Sequence, residues 1–403
     1  MVPPSRPVTP CQEPALSGAT TQSVTVVGAG LAGLRTVERL RHRGYQGRIV
    51  LLGAEPHPPY DRPPLSKQIL AGEWESGRLA LRPEEHLADL RLDMRLGVEA
   101  TGLDLSAREV RLADGESVGY DVLVIATGVR PRRLPGEGAH VLRTLDDALA
   151  LRENLGAGTR LVVVGAGFLG AEAAAVARGL GTKVTMLEPA PVPLAHAVGA
   201  EVGAVLAQAH LDHGVDLRTG VGVASVAPDG VRLADGELVA ADEVIVAIGA
   251  QPNTEWLEGS GLTIDNGVVC DEYCVAAPGV YAAGDVARWH NPLFDASMRI
   301  EHRTNAAEQG MAVARNLLSP DSPKPFAPVP YFWSDQYDMK VQAFGYLRGH
   351  EEIAVVEGDY AERRFLVAYR TGDRVAGVLG VGISPKVIRP WRQAIATRAP
   401  WNR

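Results

Sequence analysis

Two stretches of this sequence share one design: Val162-Val163-Val164-Gly165-Ala166-Gly167-Phe168-Leu169-Gly170 and, far upstream, Val26-Val27-Gly28-Ala29-Gly30-Leu31-Ala32-Gly33. In each, an apolar strand runs into Gly-x-Gly-x-x-Gly and then into a predicted helix, which is the context that gives this short motif meaning. The first glycine allows a tight turn, the second lets a pyrophosphate approach the backbone, and the third lets the helix pack closely on the strand. Backbone N–H groups at the helix start then hold the phosphate charge. The sequence therefore predicts two bound dinucleotides.

A second repeated pattern supports the duplication of an α/β unit. Asp114-Gly115 leads through Asp121 to Val124-Ile125-Ala126-Thr127-Gly128, and Asp235-Gly236 leads through Asp242 to Ile245-Val246-Ala247-Ile248-Gly249. Both patterns predict a hairpin turn followed by a buried strand that ends in glycine. Single strands that end in glycine are common in α/β proteins, but the matched order in both halves favours a duplicated unit.

The composition is typical of a soluble globular protein of two or three domains, with 403 residues of which 46% are hydrophobic and 22% charged. The longest apolar run, residues 161–177, is interrupted by Glu172 and rich in glycine, so it predicts a buried strand and helix and not a membrane span. Residues 1–20 are rich in Pro, Ser and Thr and lack the apolar core of a signal peptide, so we expect a disordered tail.

The cysteines are Cys11, Cys270 and Cys274, which fits a reducing compartment, so the cytoplasm is the expected location. We expect Cys270 and Cys274 to be structural, because redox-active pairs usually lie beside a helix start that lowers the thiol pKa. The sequence has no Cys/His cluster with metal-ligand spacing, so we expect no metal ion and no iron–sulfur cluster bound by this chain.

The net charge of −8 argues against nucleic acid as the main partner. The charge is unevenly spread, however, because no acidic residue follows Arg374, whereas six residues from there to the end are basic. These are Arg374, Lys386, Arg389, Arg392, Arg398 and Arg403. This segment is either a solvated surface or a docking patch for an acidic partner.

Acidic residues follow both glycine turns at the position where a side chain can accept hydrogen bonds from an adenosine ribose. Glu55 follows the predicted strand 48–52, and Glu188 ends the predicted strand 183–187. Glu188 would repel a 2′-phosphate and no arginine follows it immediately, so we expect NAD and not NADP at the second turn.

Further motifs resemble those of a known family. A nucleotide turn near the N-terminus and a much later strand end, Ala282-Ala283-Gly284-Asp285, resemble the flavoprotein reductases that have two dinucleotide domains. Within that superfamily, three motifs look like those of the NADH-dependent ferredoxin reductases of oxygenase systems, the putidaredoxin reductase type. They are Pro59-Tyr60-Asp61-Arg62-Pro63-Pro64-Leu65-Ser66-Lys67, Glu301-His302-Arg303-Thr304-Asn305-Ala306-Ala307-Glu308-Gln309-Gly310 and Tyr331-Phe332-Trp333-Ser334-Asp335-Gln336-Tyr337.

The resemblance implies an α/β fold with two Rossmann-like dinucleotide-binding domains, one for FAD and one for NAD, plus an α+β C-terminal domain. The NAD domain is inserted in the FAD domain. The implied bounds are residues 21–130 and 254–325 for the FAD domain, 131–253 for the NAD domain and 326–403 for the C-terminal domain.

The implied activity is hydride transfer from NADH to FAD, followed by transfer of single electrons to a separate iron–sulfur ferredoxin. The resemblance places Lys67 near flavin N5, where a cation would stabilise the charge of the reduced ring. Glu172 is expected on the nicotinamide side, paired with Lys67, and Trp333 where electrons leave. The plainer alternatives are a solvated lysine, a first-turn glutamate favoured by the helix dipole and a core tryptophan.

Several other side chains are assigned to FAD by the resemblance. Arg62 and Arg132 would bind the pyrophosphate through paired hydrogen bonds, unless they are rim residues. Asp285 would lie beside the ribitol, and its plainer role is the N-cap of a helix that starts at Val286; the two roles are compatible. Arg303 replaces a residue that is often aromatic, and it either contacts FAD through its backbone or faces the partner.

The remaining residues assigned to FAD are Gly28, Gly30, Leu31, Ala32, Gly33, Glu55, Ala100, Ala126, Thr127, Gly128, Gly284 and His302. Those assigned to NAD are Gly165, Gly167, Phe168, Leu169, Gly170, Glu188 and Gly249.

The ferredoxin is expected to dock near Arg389, Arg392 and Arg398. Rubredoxin reductases and nitrite-reductase-associated flavoproteins share this architecture and stay open as alternatives. A redox-sensing protein similar to apoptosis-inducing factor is disfavoured by the net charge of −8, because nucleic-acid binding needs a basic surface. The cysteine mechanisms of the superfamily are excluded, because residues 33–67 contain no cysteine.

Overall fold

A computed structural model of the chain describes residues 23–401. The predicted tail of residues 1–20, as well as Cys11 and Arg403, lie outside the described residues. The α-helices of the described part are Leu31–His42, Glu84–Asp89, Leu145–Asn154, Phe168–Gly179, Ala195–Val198, Ala200–Asp212, Arg303–Leu318 and Pro385–Ala396. Short 3-10 helices span Pro63–Ser66, Ser76–Leu79, Glu255–Leu257 and Gly284–Val286.

The first glycine turn lies at the end of a strand in a six-stranded, mostly parallel sheet. The order of its strands is Val275–Ala277, Val280–Ala282, Val122–Ile125, Ser23–Val27, Arg48–Gly53 and Asp93–Leu96. Strand Ser23–Val27 is thus central and nearly fully buried, as its run of β-branched residues predicts. Residues 275–282 join strands from the start of the chain, so this sheet is assembled from two separate segments.

The second glycine turn lies on a five-stranded sheet that is parallel throughout. Its order is Asp216–Thr219, Lys183–Glu188, Arg160–Val164, Glu243–Val246 and Ala139–His140. Strand Arg160–Val164 holds the same central place here as Ser23–Val27 in the first sheet. The sequence prediction of two Rossmann-like units is therefore confirmed.

The repeated Asp-Gly pattern also forms equivalent structures in the two halves. Asp114-Gly115 turns between strands Glu109–Leu112 and Ser117–Gly119, and Asp235-Gly236 turns between Gly230–Leu233 and Leu238–Ala240. Each hairpin belongs to a three-stranded antiparallel sheet, completed by Ala100–Asp104 and Val223–Ala227, respectively. A further three-stranded sheet contains Val268–Cys270, Ala287–Asn291 and Ala296–Met298.

The chain crosses between the two parallel sheets twice, and the two crossings are hydrogen-bonded together. Strands Val129–Pro131 and Ala250–Pro252 pair antiparallel. Thr127 Oγ1 donates to the carbonyl oxygen of Asn253 at 2.9 Å, and Asn253 Nδ2 donates to the carbonyl oxygen of Thr127 at 2.9 Å. Residues 131–253 thus leave and return at one place, which supports the predicted insertion, although the exact domain bounds stay a prediction.

The last part of the chain forms a five-stranded antiparallel sheet covered by helix Pro385–Ala396. The strand order is Tyr331–Gln336, Met339–Gly345, Arg374–Val381, Arg364–Thr371 and Glu352–Asp359. The predicted strands 341–344 and 365–369 lie inside two of these. Side chains alternate along a strand, so Phe332, Ser334 and Gln336 share one face of the edge strand, and Tyr331 and Trp333 share the other.

None of the α-helices within residues 23–401 combines the length and the apolar character that crossing a membrane would require.

Candidate active site

The two glycine turns have closely similar geometry. A Cβ on Gly28 would lie 2.1 Å from the carbonyl oxygen of Ala126, and one on Gly165 would lie 2.5 Å from that of Ala247. Both glycines have positive φ, at 119° and 100°. Side chains are therefore excluded at these positions for both steric and backbone reasons.

The middle glycine of each turn faces open space where a ligand could approach. An added Cβ on Gly30 or Gly167 would meet no atom within 4 Å. Each glycine is the N-cap of the following helix, and within the described residues no side chain caps either helix. The first N–H groups of both helices are thus available to a phosphate, which fits a dinucleotide at each turn.

Lys67 and Glu172 lie together although they are 105 residues apart in the sequence. Lys67 Nζ donates to Glu172 Oε2 at 2.6 Å, and the two side chains are only 12% and 7% exposed. Lys67 follows the 3-10 helix Pro63–Ser66, and Glu172 lies on helix Phe168–Gly179, directly after the second glycine turn. The expected pair is therefore present, and it joins the segments that carry the two turns.

Three further donors surround the Glu172 carboxylate. Ser66 Oγ donates to Oε2 at 2.6 Å, Ser334 Oγ donates to Oε1 at 2.7 Å, and the backbone N–H of Asp335 donates to Oε1 at 3.3 Å. Four donors therefore converge on one buried carboxylate. Lys67 is therefore not a solvated surface lysine, and Glu172 is held by more than the helix dipole.

Glu55 lies in a second charged cluster, after strand Arg48–Gly53 of the first sheet. It accepts hydrogen bonds from Tyr60 Oη and Arg62 Nη2, each at 2.5 Å. Arg62 also donates to the carbonyl oxygen of Arg143 at 2.7 Å. Burial raises the pKa of Tyr60, which keeps this phenol protonated. Glu55 and Arg62 thus belong to one hydrogen-bonded cluster close to the first glycine turn.

Asp285 contacts a residue that the sequence did not point to. Arg143 Nη2 donates to Asp285 Oδ2 at 3.1 Å. The alternative role of Asp285 as an N-cap is wrong, because it lies within the 3-10 helix Gly284–Val286 and Ala287 begins a strand. The preceding Gly284 fits closely against Ala32, since a Cβ on it would lie 2.9 Å from that side chain.

The strand ends near the first turn contain Ala126, Thr127 and Gly128, as expected. Gly128 has a positive φ of 67°. The side chain of Arg132 is exposed, while its backbone N–H donates to the carbonyl oxygen of Gly249 at 2.9 Å. Ala100 begins the strand Ala100–Asp104.

His302 and Arg303 begin the long helix Arg303–Leu318. Arg303 Nε donates to both carboxylate oxygens of Asp61, at 2.6 and 2.9 Å, so its side chain is tied to the motif that contains Lys67. His302 Nδ1 is buried without a hydrogen-bond partner among the described residues. Burial lowers the pKa of His302 to about 4. An unsatisfied buried nitrogen beside this motif is consistent with a ligand that completes the site.

Trp333 is half-buried and stacks on Tyr331, with ring centroids 6.0 Å apart. The opposite face of its strand touches helix Phe168–Gly179, where the Phe332 ring lies 5.0 Å from that of Phe168. Leu169, the next residue of the helix, is 39% exposed. Trp333 therefore lies on a strand whose other face contacts the Lys67–Glu172 pair.

Glu188 ends strand Lys183–Glu188 beside the second turn. Its carboxylate accepts hydrogen bonds from the backbone N–H of Ala166 at 2.9 Å and from that of Ala190 at 3.0 Å. These contacts hold the negative charge at the edge of the turn, where an adenosine ribose would lie.

The three arginines of the expected docking patch differ in their surroundings. Arg389 and Arg392 line a groove of about 400 Å³ together with Tyr331 and Phe344. Arg392 lies 3.6 Å from Glu308, whereas Arg398 donates to the carbonyl oxygen of Pro292 at 2.6 Å. Arg389 is thus the most available of the three for an acidic partner.

Cys270 and Cys274 are both buried free thiols. Burial raises the pKa of Cys274 to about 12, so this thiol is protonated and unreactive at neutral pH. This agrees with the expectation that both are structural.

The chain is similar to known proteins over most of its length. Residues 22–310 match the family described as pyridine nucleotide-disulphide oxidoreductase, and residues 331–403 match the family described as reductase C-terminal. Rhodocoxin reductase of Rhodococcus erythropolis is 36% identical over 94% of this chain and 90% of its own length. Putidaredoxin reductase CamA of Pseudomonas putida is 38% identical over 94% and 92%.

A solved structure also resembles this one closely. It is the crystal structure of the covalent putidaredoxin reductase–putidaredoxin complex, with a TM-score of 0.90 and 36% identity over 95% of this chain and 94% of that one. The expected fold class, oxidoreductase activity and pair of cofactors, FAD and NAD(H), are confirmed. The chain therefore belongs to the pyridine nucleotide-disulphide oxidoreductase family and ends in a segment of the reductase C-terminal family.

Proposed function

We propose that this chain is an NADH-dependent ferredoxin reductase, which takes a hydride from NADH and delivers single electrons to a separate iron–sulfur ferredoxin that serves an oxygenase. The observation that carries the proposal is the Lys67–Glu172 contact at 2.6 Å, which joins the segments after the two glycine turns. It brings the two dinucleotide sites together, as hydride transfer between two rings requires.

FAD would be held by residues of the first sheet and its neighbours. The glycine turn 28–33 would bind the pyrophosphate at the start of helix Leu31–His42, assisted by Arg132. Glu55 and Asp285 are the acceptors for its ribose and ribitol hydroxyls, with Ala100, the strand end 126–128, Gly284, His302 and Arg303 completing the site. When bound, FAD supplies the chemistry that accepts a hydride and releases electrons one at a time.

NADH would be held at the turn that contains Gly165, Gly167 and Gly170. Phe168 and Leu169 begin the helix after this turn, and Gly249 follows the neighbouring strand Glu243–Val246. Glu188 would accept hydrogen bonds from the adenosine ribose and repel a 2′-phosphate, which supports NADH over NADPH.

The chain's own residues have distinct tasks in this proposal. Lys67 holds a positive charge at the junction of the two sites, where it would stabilise negative charge that develops on the acceptor ring. Glu172 fixes the position of that ammonium through the 2.6 Å ion pair. Trp333, which stacks on the groove-lining Tyr331, would cover the flavin where electrons leave.

The partner is proposed from the surface charge and from the relatives. Arg389 and Arg392 line a groove on the same side of the strand as Tyr331. An acidic protein would be attracted there, and electron-transfer encounters depend strongly on such charges. One relative is named as the ferredoxin–NAD(+) reductase component of an anthranilate 1,2-dioxygenase system, with 39% identity over 89% of this chain. A cytoplasmic location is part of the proposal.

The test is anaerobic titration of the FAD-loaded protein with NADH, followed by assays with a panel of ferredoxins and a rubredoxin. We expect NADH to bleach the flavin absorbance and at least one acidic ferredoxin to be reduced faster than rubredoxin. Flavin that NADH fails to bleach, or bleached protein that reduces rubredoxin but no ferredoxin, would contradict the proposal.

A further inference from the structure

A line of buried side chains runs from the Glu172 carboxylate to the edge of the protein. Ser334 Oγ donates to Glu172 Oε1 at 2.7 Å, and Gln336 Nε2 donates to Ser334 Oγ at 3.2 Å. Gln336 Oε1 lies 3.3 Å from His210 Nε2, and His210 Nδ1 lies 2.9 Å from Tyr337 Oη. Ser334 and Gln336 are 0% exposed and His210 is 3% exposed.

The direction of every hydrogen bond in this line follows from its first contact. The Glu172 carboxylate, which is paired with Lys67, accepts from Ser334, so the single hydroxyl hydrogen of Ser334 points at Glu172. The Ser334 oxygen must then accept from the amide N–H of Gln336, which turns Gln336 Oε1 toward His210. His210 therefore carries its hydrogen on Nε2, and its Nδ1 accepts from the Tyr337 hydroxyl.

The line joins parts of the chain that are far apart in sequence. His210 lies on helix Ala200–Asp212, Glu172 lies on helix Phe168–Gly179, and Ser334 and Gln336 lie on the edge strand of the last sheet. Tyr337 has a φ of 54°, in the left-handed region that a tyrosine adopts at a cost. This strained turn places the phenol against His210, and the ring of His213 stacks on it at 3.7 Å.

We propose that Ser334, Gln336 and His210 form a relay of positioning residues, which couples the charge of Glu172 to the tautomer of His210 and fixes Glu172 against Lys67. The effect of the relay on NADH oxidation rests on the proposed function, whereas the coupling itself does not. In a buried network of this kind, the orientation of each polar group depends on that of the next, so a change at one member alters the hydrogen bonds of all the others.

The coupling makes a distinctive prediction for Glu172→Gln. The new amide keeps its oxygen toward the charged donor Lys67 and toward Ser66, both at 2.6 Å, so its N–H groups face Ser334 and the weaker 3.3 Å contact with the Asp335 N–H is lost. The Ser334 hydroxyl must then donate to Gln336, the Gln336 amide turns over, and His210 Nε2 becomes an acceptor. The whole line reverses, and the hydrogen of His210 moves to Nδ1.

The experiment is 15N NMR of the FAD-loaded protein with labelled histidine, at a pH where the ring is neutral. We expect the wild type to show the Nε2–H tautomer at His210, assigned by loss of the signal in His210→Gln, and Glu172→Gln to show the Nδ1–H tautomer. Glu201→Gln, an exposed substitution on the helix of His210, is the matched control and should keep the wild-type signal. An unchanged tautomer in Glu172→Gln, or Nδ1–H in the wild type, would overturn the relay.

Gln336→Met interrupts the relay at its centre and keeps the proposal testable if Glu172→Gln does not fold. We expect flavin reduction by NADH to slow by about tenfold, while the NADH dissociation constant stays within about twofold. Gln342→Met is the control, because Gln342 is a buried glutamine on the neighbouring strand that lies outside the relay. Equal rates in these two variants would overturn the positioning role.

His210 offers a rescue test of the same role. His210→Phe removes both ring nitrogens and should slow flavin reduction as Gln336→Met does, whereas His210→Gln retains one donor and one acceptor and should stay close to wild type. Equal losses in both would contradict the relay. A wild type that NADH cannot bleach would instead contradict the proposed function and leave the NMR result standing.

Discussion

Lys67 Nζ lies 2.6 Å from Glu172 Oε2, and this ion pair joins the two segments that follow the glycine turns. Lys67→Met removes the only charge in this contact that could stabilise a developing anion nearby. We therefore expect flavin reduction by NADH to slow by about tenfold to a hundredfold, while FAD stays bound. Stopped-flow absorbance measures the rate, and the flavin-to-protein absorbance ratio measures retention.

The exposed Lys183 supplies the control for this experiment. Lys183→Met removes a charge from a strand of the second sheet without touching the pair, so its rate should equal that of the wild type. If Lys67→Met also reduced the flavin at the wild-type rate, Lys67 would have no part in the chemistry.

The same pair predicts a non-additive effect on stability. Lys67→Met leaves a carboxylate that is 7% exposed without its cation, and we expect a loss of about 3 kcal/mol in the free energy of unfolding. Adding Glu172→Gln should recover more than half of that loss, because a neutral amide can still accept from Ser66. Denaturant unfolding of the two single variants and the double variant measures the coupling, and additive losses would mean that the pair is not coupled.

The local parts of this site were predictable from the sequence, because they depend on short-range rules. Gly28 and Gly165 are needed because each turn lies against the backbone of a neighbouring strand end, with no room for a side chain. The order of strand, glycines and helix in the sequence identifies such turns. The Lys67–Glu172 contact is different, since it spans 105 residues, and it was expected only through the resemblance of the motif around Lys67.

The remainder of the site depends on tertiary contacts that have no local signal. Ser334 reaches Glu172 across 162 positions, and Arg143 reaches Asp285 across 142. Arg143 lies in a connecting segment without a motif, so only the folded chain reveals it. The helix that we expected after Asp285 does not form. Ala287 instead pairs with Val268 in a sheet, and this pairing overrides the local capping preference.

His210 predicts a loss of stability in acid. Burial lowers its pKa in the folded protein to about 4 from an ordinary 6.5, so the unfolded chain binds a proton first. The stabilisation is fully present above pH 6.5 and is lost as the pH falls from there through 4, by about 3 kcal/mol at most. Urea unfolding at several pH values measures this change. His210→Gln should remove the part of this change that His210 contributes and leave the part from His302, whose pKa burial also lowers to about 4, whereas His42→Gln, which changes an exposed histidine, should leave the whole change in place.

Glu188 predicts the choice of nicotinamide cofactor. Its carboxylate is fixed by the N–H groups of Ala166 and Ala190, so its charge cannot move away from a 2′-phosphate. We expect kcat/KM to be at least about tenfold higher with NADH than with NADPH, and Glu188→Gln to narrow the gap by raising the NADPH value. Steady-state ferricyanide reduction with both cofactors measures the ratio. Equal efficiency in the wild type would remove this role of Glu188.

The groove beside Tyr331 predicts how electron delivery responds to charge. Arg389 lines this groove and is exposed. Arg392 forms an ion pair with Glu308 at 3.6 Å, and Arg398 donates a hydrogen bond to the carbonyl oxygen of Pro292. We therefore expect charge reversal to weaken reduction of an acidic ferredoxin most at Arg389, less at Arg392 and least at Arg398. Raising the ionic strength should slow ferredoxin reduction by the wild type, because it screens exposed charges.

Ferricyanide separates docking from chemistry in that experiment, since it can take electrons without a protein interface. Arg389→Glu should raise the KM for ferredoxin by about tenfold and flatten its salt dependence, with ferricyanide reduction unchanged. Arg218→Glu, which reverses a half-buried charge on the second sheet, should behave as wild type with both acceptors. If Arg389→Glu and Arg218→Glu were indistinguishable with ferredoxin, the partner would have to approach the protein at another surface.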